Sequence, residues 1–95
     1  MRSRYSAFAL GDADYVLASW HPDTRPATIE LEPDLVWRRL DVIGTSAGGP
    51  FDERGVVEFR AVWRQGAQRG ALHERSRFER VGGLWRYRDG DLLPA

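Results

Sequence analysis

The sequence predicts an α+β domain in which two N-terminal helices cover one face of a four-stranded antiparallel sheet. Three observations carry this reading. Apolar residues recur at helical spacing up to Trp20, they alternate from Trp37 onward, and Gly82-Gly83 stands between two alternating runs as a hairpin turn. Helices that precede strands, instead of alternating with them, collect on one side of a sheet. A chain of 95 residues with 42% hydrophobic and 12% aromatic content reads as one domain, residues 1–95, with a modest core that a dimer interface can supplement.

Residues 2–10 form the first expected helix, since Tyr5, Phe8 and Ala9 share a face. Gly11 interrupts it, and Asp12 is placed to cap a second helix over Ala13–Trp20, striped by Val16, Leu17 and Trp20. His21-Pro22 stops that helix, because a residue before proline avoids the α region. Thr28–Glu32 reads equally as a short strand or a helical turn between Pro26 and Pro33. Four strands follow: Trp37–Thr45, Gly55–Arg64, Gly70–Arg80 and Leu84–Asp89, with Ser46–Pro50 as a loop of turn formers.

The hairpins set a register. With Gly82-Gly83 as the turn, Val81 opposes Leu84, Phe78 opposes Tyr87, Ser76 opposes Asp89 and Arg77 opposes Arg88. With Gln65–Gln68 as the earlier loop, Arg64 opposes Arg69, Ala61 opposes Leu72 and Phe59 opposes Glu74. Alternation then gathers Val57, Phe59, Ala61, Trp63, Leu72, Glu74, Ser76, Phe78, Trp85, Tyr87 and Asp89 on one face. The other face takes the charges, with Glu58 across from Arg75 and Glu79 across from Arg86. A one-residue slip would mix the two sets.

Composition narrows the function classes. Formal net charge is zero, against the basic excess of general nucleic-acid binders. All the basic residues are arginine, which reads either as a GC-rich coding bias or as a guanidinium-rich recognition face for carboxylates and phosphates. There is no apolar run of about 18 residues and no signal peptide, so a cytoplasmic protein without a membrane segment is expected. Cysteine is absent and the two histidines lie far apart, so no metal site and no cofactor are expected. Gly48-Gly49-Pro50 and Gly82-Gly83 read as turns and not as a phosphate loop, and no Gly-x-Ser-x-Gly elbow occurs.

An ordered set of motifs spans nearly the whole chain: Met1-Arg-Ser-Arg-Tyr-Ser-Ala-Phe8, Asp14-Tyr15, Trp20-His21-Pro22, Val57-Glu58-Phe59, His73-Glu74-Arg75-Ser76-Arg77-Phe78 and Trp85-Arg86-Tyr87-Arg88-Asp89-Gly90. The set resembles the central domain of the YchJ-like family of bacterial proteins. The resemblance implies an NTF2-like, cystatin-like fold, a curved sheet wrapped around helices that often encloses a cone-shaped cavity. Family members commonly carry a cysteine-rich, zinc-binding SEC-C motif before this domain. This chain has no cysteine, so it reads either as a trimmed member or as one whose Met1 is an internal methionine, and zinc-dependent partner binding does not carry over.

The face shared by Glu74, Ser76 and Asp89 is the expected site, because buried carboxylates need partners or a solvent-filled cavity. Two readings stand. In one, Glu74 or Asp89 pairs with Arg2 or Arg4 and latches helix to sheet. In the other, Arg4, Tyr5, Trp20, Phe59, Glu74, Ser76, Phe78, Trp85, Tyr87 and Asp89 line a polar-aromatic pocket for a small molecule. His21, Glu74 and Asp89 are the catalytic candidates if the domain moves protons or dehydrates a substrate, since histidine titrates near neutrality. His73 has the opposite parity and is expected on the outer face. A third function is a module that forms a homodimer through the outer sheet face.

Overall fold

The computed structural model describes residues 2–94; Met1, which opens the family motif, lies outside the described residues. Two helices, α1 (Arg2–Leu10) and α2 (Ala13–Ala18), precede strands β1 (Leu35–Ala47), β2 (Arg54–Gln65), β3 (Gln68–Val81) and β4 (Leu84–Leu93). The strands form one antiparallel meander in the order β1-β2-β3-β4. The Asp12 carboxylate caps α2 by accepting from the Tyr15 N–H at 3.1 Å, and the Tyr15 hydroxyl reaches Ser3 on α1 at 2.8 Å.

Helix α2 stops at Ala18, short of the expected Trp20. The chain there changes partner: the His21 N–H donates to the Tyr87 carbonyl at 2.7 Å and the Tyr87 N–H to the Ser19 carbonyl at 2.8 Å. Residues 19–21 thus cover part of the exposed edge of β4, which an unpaired edge strand requires. Arg86 donates to the Ala18 carbonyl at 2.8 Å, supplying a cation to the end of a helix that has no basic residue in its last turn. Thr28–Glu32 is neither strand nor helix. Pro26 and Pro33 bracket it and remove two backbone donors.

The strands run longer than expected, and the hairpins keep the expected register: Val81↔Leu84, Phe78↔Tyr87, Arg64↔Arg69, Ala61↔Leu72 and Phe59↔Glu74. Gly82 and Gly83 both take positive φ, 58° and 81°, as a type I′ turn demands. Below Phe78 the expectation fails. A bulge at Arg88 places Asp89 opposite Arg77 and Gly90 opposite Ser76. Asp89 therefore faces outward, and neither the Ser76–Asp89 pair nor the Arg77–Arg88 pair forms.

The physical reason lies in the two conflicts the regular register would create, a carboxylate turned into the core and two guanidiniums face to face. One extra residue removes both. Arg77 then holds Asp89 at 2.5 Å and Asp91 at 2.7 Å, while Arg88 reaches Glu79 at 3.3 Å. The bulge carbonyl of Arg88 accepts from the Thr24 hydroxyl at 2.6 Å. Two further bulges in β1, at Arg38 and Ile43, let Trp37, Leu40, Val42 and Thr45 all share the helix-covered face although their spacing is not strictly two.

The core lies between that face and the helices. Val16 is fully buried, and Ala7, Phe59, Ala61 and Phe78 are buried with it. Tyr5 packs edge-on to Trp37, ring centroids 6.3 Å apart. No helix among the described residues is long and apolar enough to cross a membrane.

Candidate functional site

Arg4 organises the middle of the helix-covered face. Its side chain is 5% exposed and sits over the Tyr87 ring at 4.5 Å, with Trp20 at 5.2 Å and Phe8 at 5.8 Å. The guanidinium donates to the Val16 carbonyl at 3.0 Å and to the Ser19 hydroxyl at 2.6 Å. Helix α1 is thereby tied to the end of α2 and to β4 at one point. Burial lowers the Arg4 pKa, opposed by Tyr87 and Glu74. Tyr87 is pushed up to about 12, first by burial and then by Glu74, with Arg4 pulling the other way.

Glu74 is half-buried on the same face. It accepts a short hydrogen bond from the fully buried Ser76 hydroxyl. Its carboxylate lies across Gly90, where a Cβ would stand 2.8 Å from Glu74 Cδ. Glu74 and Arg4 interact through space, but no carboxylate among the described residues lies within 4.0 Å of Arg4. The latch between helix and sheet exists, and it is made of cation–π stacking and hydrogen bonds to α2 instead of an ion pair.

On this face, a recess opens one step further along the sheet. It has a volume of about 290 Å³ and is lined by Thr45, Ala47, Gly48, Gly55, Val56, Val57, Phe78 and Trp85. Its wall is held from behind by Arg80, stacked 4.7 Å from the Trp85 ring. Arg80 also donates to the Pro50 and Gly49 carbonyls, at 3.2 and 3.1 Å, pinning the β1–β2 loop. Ala47 lines the recess in the left-handed region, φ 56°, a conformation that costs an L-residue about 1–2 kcal/mol.

Of the residues expected in a pocket, the structure brings Phe78 and Trp85 to this recess. Arg4, Trp20, Phe59, Glu74, Ser76 and Tyr87 form the packed layer beside it, and Tyr5 is spent on Trp37. Asp89 and His21 lie on the other side of the sheet. His21 is buried and accepts from the Asp23 N–H at Nδ1, 3.0 Å. Its Nε2 lies 3.1 Å from a Glu79 carboxylate oxygen. The expectation that His21 can pair with Glu74 is corrected, because a single bridge from Trp20 to Tyr87 turns Trp20 in and His21 to the outer face; His21 shares that face with Asp89, yet the carboxylate beside its Nε2 is Glu79. Arg80 escaped the sequence reading although its position across from Trp85 follows from the Gly82-Gly83 turn.

The outer face carries a second histidine. His73 stands between the Pro94 carbonyl at 2.9 Å and Glu58 at 2.9 Å, and Arg75 reaches Glu58 at 3.0 Å. The Pro94 carbonyl and then Glu58 hold the His73 pKa above its ordinary 6.5. Hydrogen bonds from His73 and Arg75 hold Glu58 below its ordinary 4.5. The His73 contribution to stability is full below 6.5 and fades as pH rises through the raised value; the Glu58 contribution is full above 4.5 and fades as pH falls through the lowered value. Hydrogen exchange at the β4 end, corrected for intrinsic rates, is therefore expected to be slowest between pH 4.5 and 6.5, and His73→Gln should flatten the profile. A wild-type profile without that minimum would contradict the pairing. Among the described residues, no group of three or more His, Asp or Glu side chains is placed to hold a metal ion.

Comparison with known proteins settles the family. Residues 1–90 match the model of the YchJ middle NTF2-like domain. This chain belongs to the YchJ family. The YchJ-like domain is 53% identical over 93 residues to the UPF0225 protein SCO1677 of Streptomyces coelicolor, covering 98% of this chain and 72% of that relative. It is 50% identical to a UPF0225 protein of Streptomyces avermitilis, covering 98% of this chain and 64% of that relative's length. The solution structure of RPA3114, a SEC-C motif containing protein from Rhodopseudomonas palustris, superposes with a TM-score of 0.83 at 34% identity, covering 99% of this chain and 76% of the other. The fold is therefore NTF2-like, two helices on a four-stranded antiparallel sheet.

Proposed function

We propose that this YchJ-like domain is an accessory binding module that holds a small, flat, largely apolar molecule in the recess between Val57, Phe78 and Trp85. The observation that carries the reading is the recess itself. It is an apolar concavity with two aromatic walls and one hydroxyl, Thr45, the composition that small-molecule sites share. Arg80 braces both Trp85 and the loop that forms the rim, so the space is held open by its own contacts. In this reading the three bulges curve the sheet around the helices, giving the cystatin-like shape. The catalytic reading has less support, because both histidines are engaged by Glu79 and Glu58 on the face away from Glu74. Pairing of two copies through the outer face also has less support, because much of that face is occupied by ion pairs within the chain.

The test is a titration with indole as the flat probe and cyclohexanol as the non-planar one, read by amide and indole N–H chemical shifts. Saturable shifts with indole are expected at Thr45, Val57, Phe78 and Trp85, with weaker ones for cyclohexanol. Val57→Phe should fill the recess and remove them without unfolding the domain. Shifts that scatter over the surface without saturating would refute the reading.

A further inference from the structure

The outer sheet face segregates its charges. Glu58, Glu79, Asp89 and Asp91 all lie toward one end, each with an arginine or histidine partner. The opposite end holds Arg38, Arg39, Arg60, Arg64 and Arg69 with one carboxylate, Asp41, which is taken by Arg39 at 2.9 Å. Arg64 stands directly across from Arg69, a like-charge pair that is unfavourable on its own. The β1 bulge turns Arg38 out beside them. Arg38, Arg64 and Arg69 line one recess of about 310 Å³ with Val62 and Trp63, and none of the three has a carboxylate within 4.0 Å among the described residues. The acidic side chains of the neighbouring segment, Glu32 and Asp34, accept from Gln65 at 2.7 and 3.2 Å, and Gln65 has the opposite parity to Arg64 on β2.

We infer that this recess is an anion site for a small molecule bearing two or more adjacent phosphate groups. Three arginines line one volume, and a guanidinium fork matches two oxygens of a phosphate or carboxylate group. A single carboxylate cannot satisfy three forks, whereas a di- or triphosphate presents enough oxygens to bridge them and to cancel the Arg64–Arg69 repulsion. A compact ligand fits better than a nucleic-acid strand. The basic end is short, the formal net charge of the chain is zero, and a long polyanion crossing this face would meet Glu58, Asp89 and Asp91. The site is independent of the apolar recess, which lies on the other face of the sheet.

The experiment titrates the intact domain with inorganic tripolyphosphate, orthophosphate and a single-stranded oligonucleotide, following the arginine Nε–H resonances at fixed ionic strength. Tripolyphosphate should bind with one-to-one stoichiometry and shift Arg38, Arg64 and Arg69, at least about tenfold more tightly than orthophosphate. Arg64→Gln should weaken it by about tenfold, and Arg64→Lys should weaken it several-fold despite keeping the charge. Arg54→Gln, which removes the same charge from the far end of the face, should leave it unchanged. Equal losses for Arg64→Gln and Arg54→Gln, an unaffected Arg64→Lys, tighter binding of the oligonucleotide, or no saturable shift would each overturn the site.

Discussion

Replacing Arg4 by alanine should destabilise the domain by about 3 kcal/mol. The substitution removes two hydrogen bonds from a charged donor, each contributing about 1.5–3 kcal/mol, and a cation stacked among three aromatic rings, on the order of 1 kcal/mol or more. Part of this is offset because the guanidinium no longer has to be kept away from water. The Ser19 hydroxyl would keep its bond to the Val16 carbonyl at 3.1 Å, so one acceptor stays satisfied. For a domain of this size the unfolding midpoint should fall by roughly 10–20 °C. Arg4→Met, which keeps an unbranched side chain over Tyr87 without the donors, should recover part of the loss. Thermal unfolding followed by circular dichroism decides it, and a shift below about 3 °C for the alanine variant would remove Arg4 from the centre of the fold.

The second large effect is expected at Gly70. This residue faces the helices at the far end of β3, opposite Trp63, and the Trp63 indole packs against it. A Cβ at position 70 would stand 2.8 Å from Trp63 Cε2 and closer still to Cζ2. The ring cannot bend away as a flexible chain end would, and Trp37 occupies the neighbouring place on β1. Gly70→Ala should therefore cost about 2–3 kcal/mol through overpacking, although alanine would ordinarily favour the folded state by limiting the unfolded chain. Gly66→Ala is the contrast, since nothing lies within 4 Å of its added Cβ; its penalty comes only from the positive φ of 59°. Chemical denaturation of the two variants with a common m-value separates a clash from a turn effect.

Local pattern made most of this fold legible, and non-local pairing hid the rest. Periodicity places α1, the Asp12 cap and all four strands. The Gly82-Gly83 turn alone fixes Val81 against Leu84 and Phe78 against Tyr87. What periodicity cannot see is where strict alternation stops. Arg88, Arg38 and Ile43 are extra residues whose positions depend on what stands across the sheet. The Arg88 bulge was still signalled: a regular register buried Asp89 and set Arg77 against Arg88, and two simultaneous electrostatic conflicts mark an insertion. His21 misled for a different reason. Its neighbours read as the end of a helix, whereas the β4 edge, remote in sequence, draws residues 19–21 into the sheet and turns the imidazole outward. The recess was legible through Phe78 and Trp85. Thr45 and Ala47 share the parity of Trp37, because the two β1 bulges cancel, but Ser46–Pro50 reads as a loop, so the extension of β1 to Ala47 that closes the recess was hidden.

The claim that the Phe78–Trp85 recess holds a small molecule is tested most directly by native mass spectrometry of the domain, purified without denaturant from its own host beside the Val57→Phe variant. The wild-type chain should carry one small molecule per protomer, released on unfolding, and the filled variant should carry none. Bare wild-type chain that also fails to take up added indole, or the same adduct on both proteins, would contradict the account.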